Sequence, residues 1–488
     1  MKEKNQEAAT GVVYRRSPMW RIALAQMNGA SSTCFYILMG YASYCANAGY
    51  GILTAVVGII LTATRIFDAI TDPLIALILD KMNTRFGKLR IMIGTGWLIE
   101  AFSVKLLFDW ASGKGHGIGM FIVIYLLYVV GYTMQNVTGQ IISPTLTNDP
   151  KQRPVVGVWS TVFSYLVPTV YTLVINLVLL PKYNNEFSVP MLAETSNLCV
   201  AMSFVLLVLV FIGVSGVDKP ENFRGITAQK QKVSVKDMKE VLTTNRPLQM
   251  YIVAAASDKI AQTVVNQSII GTMLFGIVIG NMQISTIIQA IAMIPGIIFA
   301  SVGARYAGKH GSKETVSLWS KICIVIASLL VVLFIVGDPK KIAVPGISMI
   351  IFMVLQIALN SSRMTISMAN GAMMADVVDW QLDKSGKYIP GIISATYSLL
   401  DKFISSFGGL IATSFVALIG YTTTMPQPSD PMTTGIFVMA LVIYYGLPIL
   451  GWICSVVAMH FNPLSRETMV EVQKSIAEKK AELKQIER

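Results

Sequence analysis

Long apolar runs separated by short polar breaks recur along the 488-residue chain from about Trp20 to Phe461. Each is close to the roughly 20 residues that an α-helix needs to cross a bilayer. Reading apolar length against the Gly, Pro and charge clusters between runs places spans near 20–46, 51–79, 91–111, 117–146, 155–181, 196–217, 248–279, 283–304, 315–337, 345–375, 388–421 and 433–461. The pattern predicts an all-α membrane protein of twelve transmembrane helices.

The longest polar interruption, Asp218 to Pro247, holds seven Lys or Arg against four acids and divides the spans six and six. The expected organisation is an N-terminal six-helix bundle over 1–217, a central loop over 218–247, a C-terminal six-helix bundle over 248–461 and a charged tail over 462–488. In each half the break after the second span is basic: DKMNTRFGKLR at 80–90 and RYAGKHGSK at 305–313. Matching breaks are what parallel repeats about an axis along the membrane normal leave in a sequence. Basic residues also gather at Arg15, Arg16 and Arg21, at Lys151 and Arg153, and in the tail. By the positive-inside rule these segments and both termini are expected in the cytoplasm, with Lys340 and Lys341 a minor exception. In the tail, Val472, Ile476, Leu483 and Ile486 recur at roughly helical spacing, so a solvated or membrane-surface helix is expected there.

Composition agrees: 53% of the residues are hydrophobic and only 14% charged, against roughly 25% charged in soluble domains. The first twenty residues lack the apolar core of a cleavable signal, so the first span is expected to direct insertion itself. A net charge of +12 raises the question of nucleic acid, but the basic residues lie between apolar spans, where topology accounts for them. Cys34, Cys45, Cys199, Cys323 and Cys454 are scattered singly, and His116, His310 and His460 form no cluster. Neither set has metal-ligand spacing, and no GxxxxGK[ST] phosphate loop is present, so an enzyme, a bound metal beyond Na⁺ and a cofactor are not expected.

An ionisable side chain inside a span costs at least roughly 2.5–3.5 kcal/mol, so each needs a partner, a wet cavity or a task. The second span is densest: RIFDAITDP puts Arg65, Asp68 and Asp72 at i, i+3 and i+7, one face of a helix. Two carboxylates a turn apart can share a hard cation such as Na⁺, or one proton. Thr71 adds a hydroxyl, and Pro73 leaves the Ala69 carbonyl without its helix partner. The competing reading is a structural Arg65–Asp68 ion pair. Lys402, deep in the eleventh span beside Asp401, could neutralise the carboxylates when no cation is bound, and Lys402 and Arg65 are the expected coupling residues. Glu100, Lys105, Asp258, Lys259, Lys321 and Arg363 are further charges in spans; Lys105 and Lys321 read as structural, the others without an assigned partner.

The run RIFDAITDP followed by DKMNTRFGKLR, with NRPL at 245–248, DVVDWQLDKSGKYIPG at 376–391 and Lys402 ahead of LIGY at 418–421, resembles the cation-coupled glycoside, pentoside and hexuronide symporters of the major facilitator fold, the melibiose permease group. The resemblance implies that Asp68 and Asp72 are the cation-site carboxylates, with Thr71 where Asn is frequent, Thr133 in YTMQN as a further ligand and Lys402 beside the site. It departs at the sugar site: Ser32 and Asn136 stand where melibiose permease has acids, Gln140 where it has a tryptophan and Thr161 where it has an arginine. These neutral groups still suit hydroxyls, and losing two acids removes repulsion against a carboxylate, so an anionic sugar such as a glucuronide becomes plausible. Trp159 and Tyr36 are candidate aromatic faces for a sugar ring, although packing is the commoner role of such residues. The 376–391 segment also departs, with Leu382 where the family carries Glu and Tyr388, Ile389 and Pro390 near its Arg-Ala-Glu.

The expected function is alternating-access symport, coupled to Na⁺ or H⁺, of a sugar or glycoside across a bacterial inner membrane. The implied partners are that solute, the monovalent cation and the lipid bilayer. The competing readings are a proton-coupled carrier of drugs or amphiphilic lipids, a membrane-bound transferase and a non-transporting sugar sensor. Asn136, Gln140, Asn266 and Gln267 count against a purely apolar cavity; the transferase lacks a nucleophile, base or metal cluster; the sensor lacks a signalling domain.

Overall fold

In a computed structural model, residues 16–82, 86–147, 152–219, 235–386 and 389–486 are described. The described residues are helical with loops and no strands. The chain divides into two compact units, Met1–Ala228 with Thr423–Met425, and Gln229–Thr422 with Pro426–Arg488.

The first unit contains α1 (Met19–Met39), α2 (Thr54–Lys81), α3 (Lys88–Lys105), α4 (Gly117–Leu146), α5 (Arg153–Val174) and α6 (Val189–Val214). The second contains α7 (Arg246–Val265), α8 (Gln283–His310), α9 (Ser312–Val336), α10 (Ile347–Ser385), α11 (Pro390–Leu418), α12 (Leu447–Phe461) and a tail helix, α13 (Arg466–Ile486). A helical stretch, Thr434–Leu441, leads into α12 through a π turn, Val442–Gly446. Nine helices among the described residues are long and apolar enough to cross a membrane, or ten counting one bent pair. With α1 and α2, whose apolar runs carry Asn28, Ser31 and Ser32 and Arg65, Asp68 and Asp72, twelve spanning elements result. Large apolar side chains such as Leu98, Phe102, Phe204, Ile294, Ile298 and Val325 stand exposed. On helices whose backbone groups are satisfied internally, such side chains are a lipid-facing surface.

Within each unit the same helix pairs meet. In the first, α1 packs on α5 and α6, α3 on α4 and α6, and α2 on α4. In the second, α7 packs on α11 and α12, α9 on α10 and α12, and α8 on α10. This equivalence is a structural repeat. It extends to the loops before the third helix of each unit, which end on glycines of positive φ, Gly87 at +86° and Gly311 at +100°. A side chain is disfavoured there. A Cβ at Gly87 would lie 2.1 Å from Asp218 Oδ2, and one at Gly311 would lie 3.4 Å from Arg466 Cβ. Asp218 follows α6 and Arg466 follows α12. Asp218 accepts from the backbone N–H groups of Leu89 (3.1 Å) and Arg90 (2.9 Å) and from Arg90 Nε at 3.3 Å. It thereby satisfies orphan donors at the α3 N-terminus, where a carboxylate also suits the helix dipole. In the second unit the corresponding contact is a donor: Arg466 Nη1 gives a 2.6 Å bond to the Gly308 carbonyl.

The structure corrects several expectations. The seventh span does not run unbroken over 248–279: α7 ends at Val265, and the chain resumes at Ser268–Ile279 after a 66° bend. The tenth helix does not end with the span expected over 345–375: α10 continues to Ser385 and carries Asp376, Asp379 and Leu382 on helix, while Tyr388 lies outside the described residues. The tail helix is not simply solvated. Val472 and Ile476 are buried, Gln473 Nε2 donates to Asp379 Oδ2 (2.7 Å) and Ser475 Oγ to Asp383 Oδ1 (2.6 Å), docking α13 along the end of α10.

Candidate functional site

Helix α2 runs without interruption through Pro73, and its turn Arg65–Asp72 faces α4. Thr133 on α4 donates from Oγ1 to Asp68 Oδ1 at 2.8 Å. Thr71 Oγ1 lies 3.3 Å from Thr133 Oγ1 and donates to the Asp68 carbonyl at 3.0 Å. Asp68, Thr71 and Thr133 are all buried, at 8%, 6% and 1% exposure. A carboxylate and two hydroxyls are thus drawn together out of lipid, with Asp72, half-buried, one turn further along α2. Such a set of oxygens is chemically fit for a hard monovalent cation, and its carboxylate equally for a proton.

Arg65 does not form the structural ion pair with Asp68 that the sequence left open: among the described residues its guanidinium has no carboxylate partner and instead lies 5.4 Å from the Tyr36 ring centroid. Tyr125, Tyr128 and Tyr132 of α4 are also within electrostatic reach of it. Electron-rich ring faces hold a guanidinium by cation–π attraction, worth up to about 2 kcal/mol when desolvated. The rings continue as a column. Tyr36 stacks on Tyr132 (centroids 6.3 Å apart), Tyr132 on Tyr128 (5.8 Å), and Tyr128, Tyr125, Phe121 and Tyr50 follow edge-on or tilted. The sequence reading missed this column, though 121, 125, 128 and 132 recur at the alternating four and three of one helical face.

The expected sugar contacts are dispersed. Ser32 is buried on α1 with its hydroxyl lacking a hydrogen-bond partner. Asn136 is half-buried on α4, one turn beyond Tyr132 and within electrostatic reach of its phenol. Gln140, one turn further, is exposed. Trp159 stacks on Phe163 of its own helix, centroids 5.6 Å apart and planes 22° apart, which is a packing contact. The Thr161 side chain lies outside the described ones. The structure therefore joins Asp68, Thr71 and Thr133 and sets Arg65 against Tyr36, with Asn136 one turn beyond Tyr132 on the same helix.

In the second unit, Lys402 is half-buried on α11, next to Asp401, whose Oδ1 is buried without a hydrogen-bond partner. Lys259 and Tyr397 lie within reach of Asp401, and Tyr397 contacts Tyr251 at 4.9 Å. Asp258 accepts from Gln262 Nε2 (2.7 Å) and Trp452 Nε1 (3.2 Å), with Arg363 within electrostatic reach. Lys105 bonds to Asp109 and to Asn197 Oδ1, a structural arrangement at the end of α3. Beyond α11, the phenol of Tyr421 donates to Asp430 Oδ2 at 2.8 Å; burial and the neighbouring carboxylate keep it protonated well above the usual phenol range.

Known proteins resemble the chain over nearly its full length. A glucuronide carrier protein homolog of Escherichia coli (strain K12) is 23% identical over 94% of this chain and 96% of its own. An isoprimeverose transporter of Lactiplantibacillus pentosus is 22% identical over 93% of this chain and 91% of its own. The crystal structure of a bacterial homolog of the human lysosomal transporter Spinster, inward-facing and unoccupied, superposes with a TM-score of 0.61 at 12% identity, covering 93% of this chain and 97% of that one. That likeness establishes a shared transporter fold. The family model described as MFS/sugar transport protein matches residues 23–466, and the chain belongs to that family.

Proposed function

We propose that this membrane transporter carries a sugar or glycoside by symport with a monovalent cation, through alternating access. The observation that carries the reading is the Asp68–Thr133 hydrogen bond with Thr71 beside it: a buried oxygen cluster inside a membrane helix pair. Intramembrane carboxylates of this kind mark ion pathways. The sugar transporters among its relatives support the solute class.

The cation binds at Asp68, Asp72, Thr71 and Thr133 and favours the state that binds sugar; by linkage the sugar raises cation affinity by the same factor. One monovalent cation moving down 100 mV releases about 2.3 kcal/mol, enough for roughly fifty-fold accumulation of a neutral solute. Ser32, Asn136 and Gln140 offer hydroxyl and amide groups for a polyol. Arg65, held by Tyr36 rather than by a carboxylate, supports a sugar that bears a carboxylate, such as a glucuronide. Lys402 keeps the coupling role expected of it. On this reading the protein sits in the inner membrane of a bacterium, as its bacterial relatives suggest, and the basic loops support a cytoplasmic position for both termini.

The test is uptake of radiolabelled neutral glycosides and glucuronides into right-side-out vesicles under an imposed Na⁺ or H⁺ gradient, with Asp72→Asn as control. Accumulation under one gradient, lost in the variant, identifies the ion and the solute class. Folded, inserted protein that accumulates no sugar under either gradient overturns the reading and moves amphiphile transport ahead.

A further inference from the structure

Glu100 lies on α3 and is completely buried, as is Gln135 on α4. Gln135 Nε2 donates to Glu100 Oε2. The other oxygen of each group, Glu100 Oε1 and Gln135 Oε1, is buried with no hydrogen-bond partner. Among the described residues, the titratable groups within electrostatic reach of Glu100 are Tyr128 on α4, Cys34 on α1 and Cys199 on α6, none of them basic. Neutral polar groups stand nearby: Asn28 Nδ2 donates to the backbone carbonyl of Gln135 at 3.3 Å, and Trp97 Nε1 to Ser203 Oγ at 3.0 Å.

As a carboxylate, Glu100 would be a buried charge with one donor and no counter-ion among the described residues, and the amide oxygen of its partner Gln135 would also lack a donor. Both deficits carry desolvation penalties, and the unpaired charge is the larger. One proton removes both. The acid O–H then donates to the Gln135 amide oxygen while the amide N–H donates to the acid carbonyl, so each group has one donor and one acceptor in use.

We propose that Glu100 is a proton-binding site distinct from the Asp68 cluster, holding its proton as a neutral acid paired with the Gln135 amide. One consequence rests on the symport reading above. With Glu100 neutral, and Lys105 paired with Asp109, Arg65, Asp68 and Asp72 leave the first unit's membrane interior with a formal charge of −1, which a single monovalent cation offsets. An ionised Glu100 would call for two.

The test is infrared spectroscopy of the full-length protein in lipid at neutral pH, comparing it with Glu100→Gln. The variant retains a donor and an acceptor for Gln135 and is expected to fold. The expected result is a carboxylic-acid C=O stretch that is present in the parent, shifts in D₂O and is missing from the variant. A difference spectrum with carboxylate bands alone overturns the proposal. If Glu100→Gln does not fold, Gln135→Leu decides the matter: an acid band moving to higher frequency on loss of its amide partner supports the pair, and unchanged acid bands refute it. No sugar and no gradient enter the readout, so its failure is separate from failure of the symport reading.

Discussion

Thr133 Oγ1 on α4 donates to Asp68 Oδ1 on α2 across 2.8 Å, tying the two helices at the level of the candidate cation cluster. The bond fixes one carboxylate oxygen and leaves the hydroxyl's lone pairs facing Thr71. Hydrogen bonds to charged groups contribute about 1.5–3 kcal/mol. Thr133→Val, similar in shape but unable to donate or ligate, is therefore expected to weaken cation activation of uptake by roughly 10- to 100-fold. Thr133→Ser should recover most of it. Cation-dependent uptake across a concentration series measures this, and an unchanged half-saturating concentration in Thr133→Val would remove Thr133 from the site.

A second prediction concerns the repeat loop. Asp218 caps α3 through two backbone N–H groups, and Gly87 gives it room at a φ of +86°. Loss of a capping side chain costs about 0.5–2 kcal/mol. Asp218→Ala is expected to lower the melting temperature in detergent by a few degrees. Gly87→Ala should be worse, because its Cβ would stand 2.1 Å from Asp218 Oδ2 in addition to the backbone strain. Combining the two should cost less than the sum, since removing the carboxylate relieves that clash. Additive losses would mean that the two positions do not meet.

What could be read from the sequence was what depends on one helix at a time. Asp68, Thr71 and Asp72 share a helical stretch by spacing alone, and the apolar runs gave the spans. Relations between helices depend on how each is rotated about its axis, which period alone leaves open. Glu100 stood out as a charge in a span, yet its partner Gln135 is an unremarked amide on another helix. Arg65 had Asp68 one turn away and faces Tyr36 of α1 instead, whose ring stacks on Tyr132 of α4. The break after Val265 has no proline to announce it; Asn266, Gln267 and Ser268 interrupt an apolar run only briefly. The length of α10 was underread because its last turns are polar, and they are polar because the tail helix docks there.

That docking gives a third prediction. Val472 and Ile476 are the buried side of α13, while Gln473 and Ser475 hydrogen-bond to Asp379 and Asp383. Val472→Asp with Ile476→Asp would place two carboxylates on the buried face, close to a helix end that is already acidic. The tail should undock and become open to limited proteolysis after Phe461, with the membrane helices intact. Equal protease resistance in parent and double variant would mean that the tail is held by something other than this face.

Arg65 and Tyr36 supply the last prediction. A guanidinium inside the membrane that is held by ring faces has its hydrogen-bonding edge free for an acceptor from outside the protein, whereas one bound to a carboxylate does not. Arg65→Gln removes the charge but leaves an amide. If Arg65 receives a carboxylate-bearing sugar, the variant should lose most glucuronide uptake, on the order of 10-fold or more for a charge-assisted hydrogen bond of about 1.5–3 kcal/mol, while retaining cation-driven uptake of any neutral glycoside that the parent carries. Tyr36→Phe keeps the ring and should change little. Tyr36→Ala withdraws it and should weaken glucuronide transport by roughly 2- to 30-fold, the equivalent of about 0.5–2 kcal/mol of cation–π attraction. Competition uptake with a neutral and an anionic glycoside in the same vesicles measures both effects. Equal loss for the two sugars in Arg65→Gln would instead assign Arg65 to the coupling step, where it acts on every solute alike.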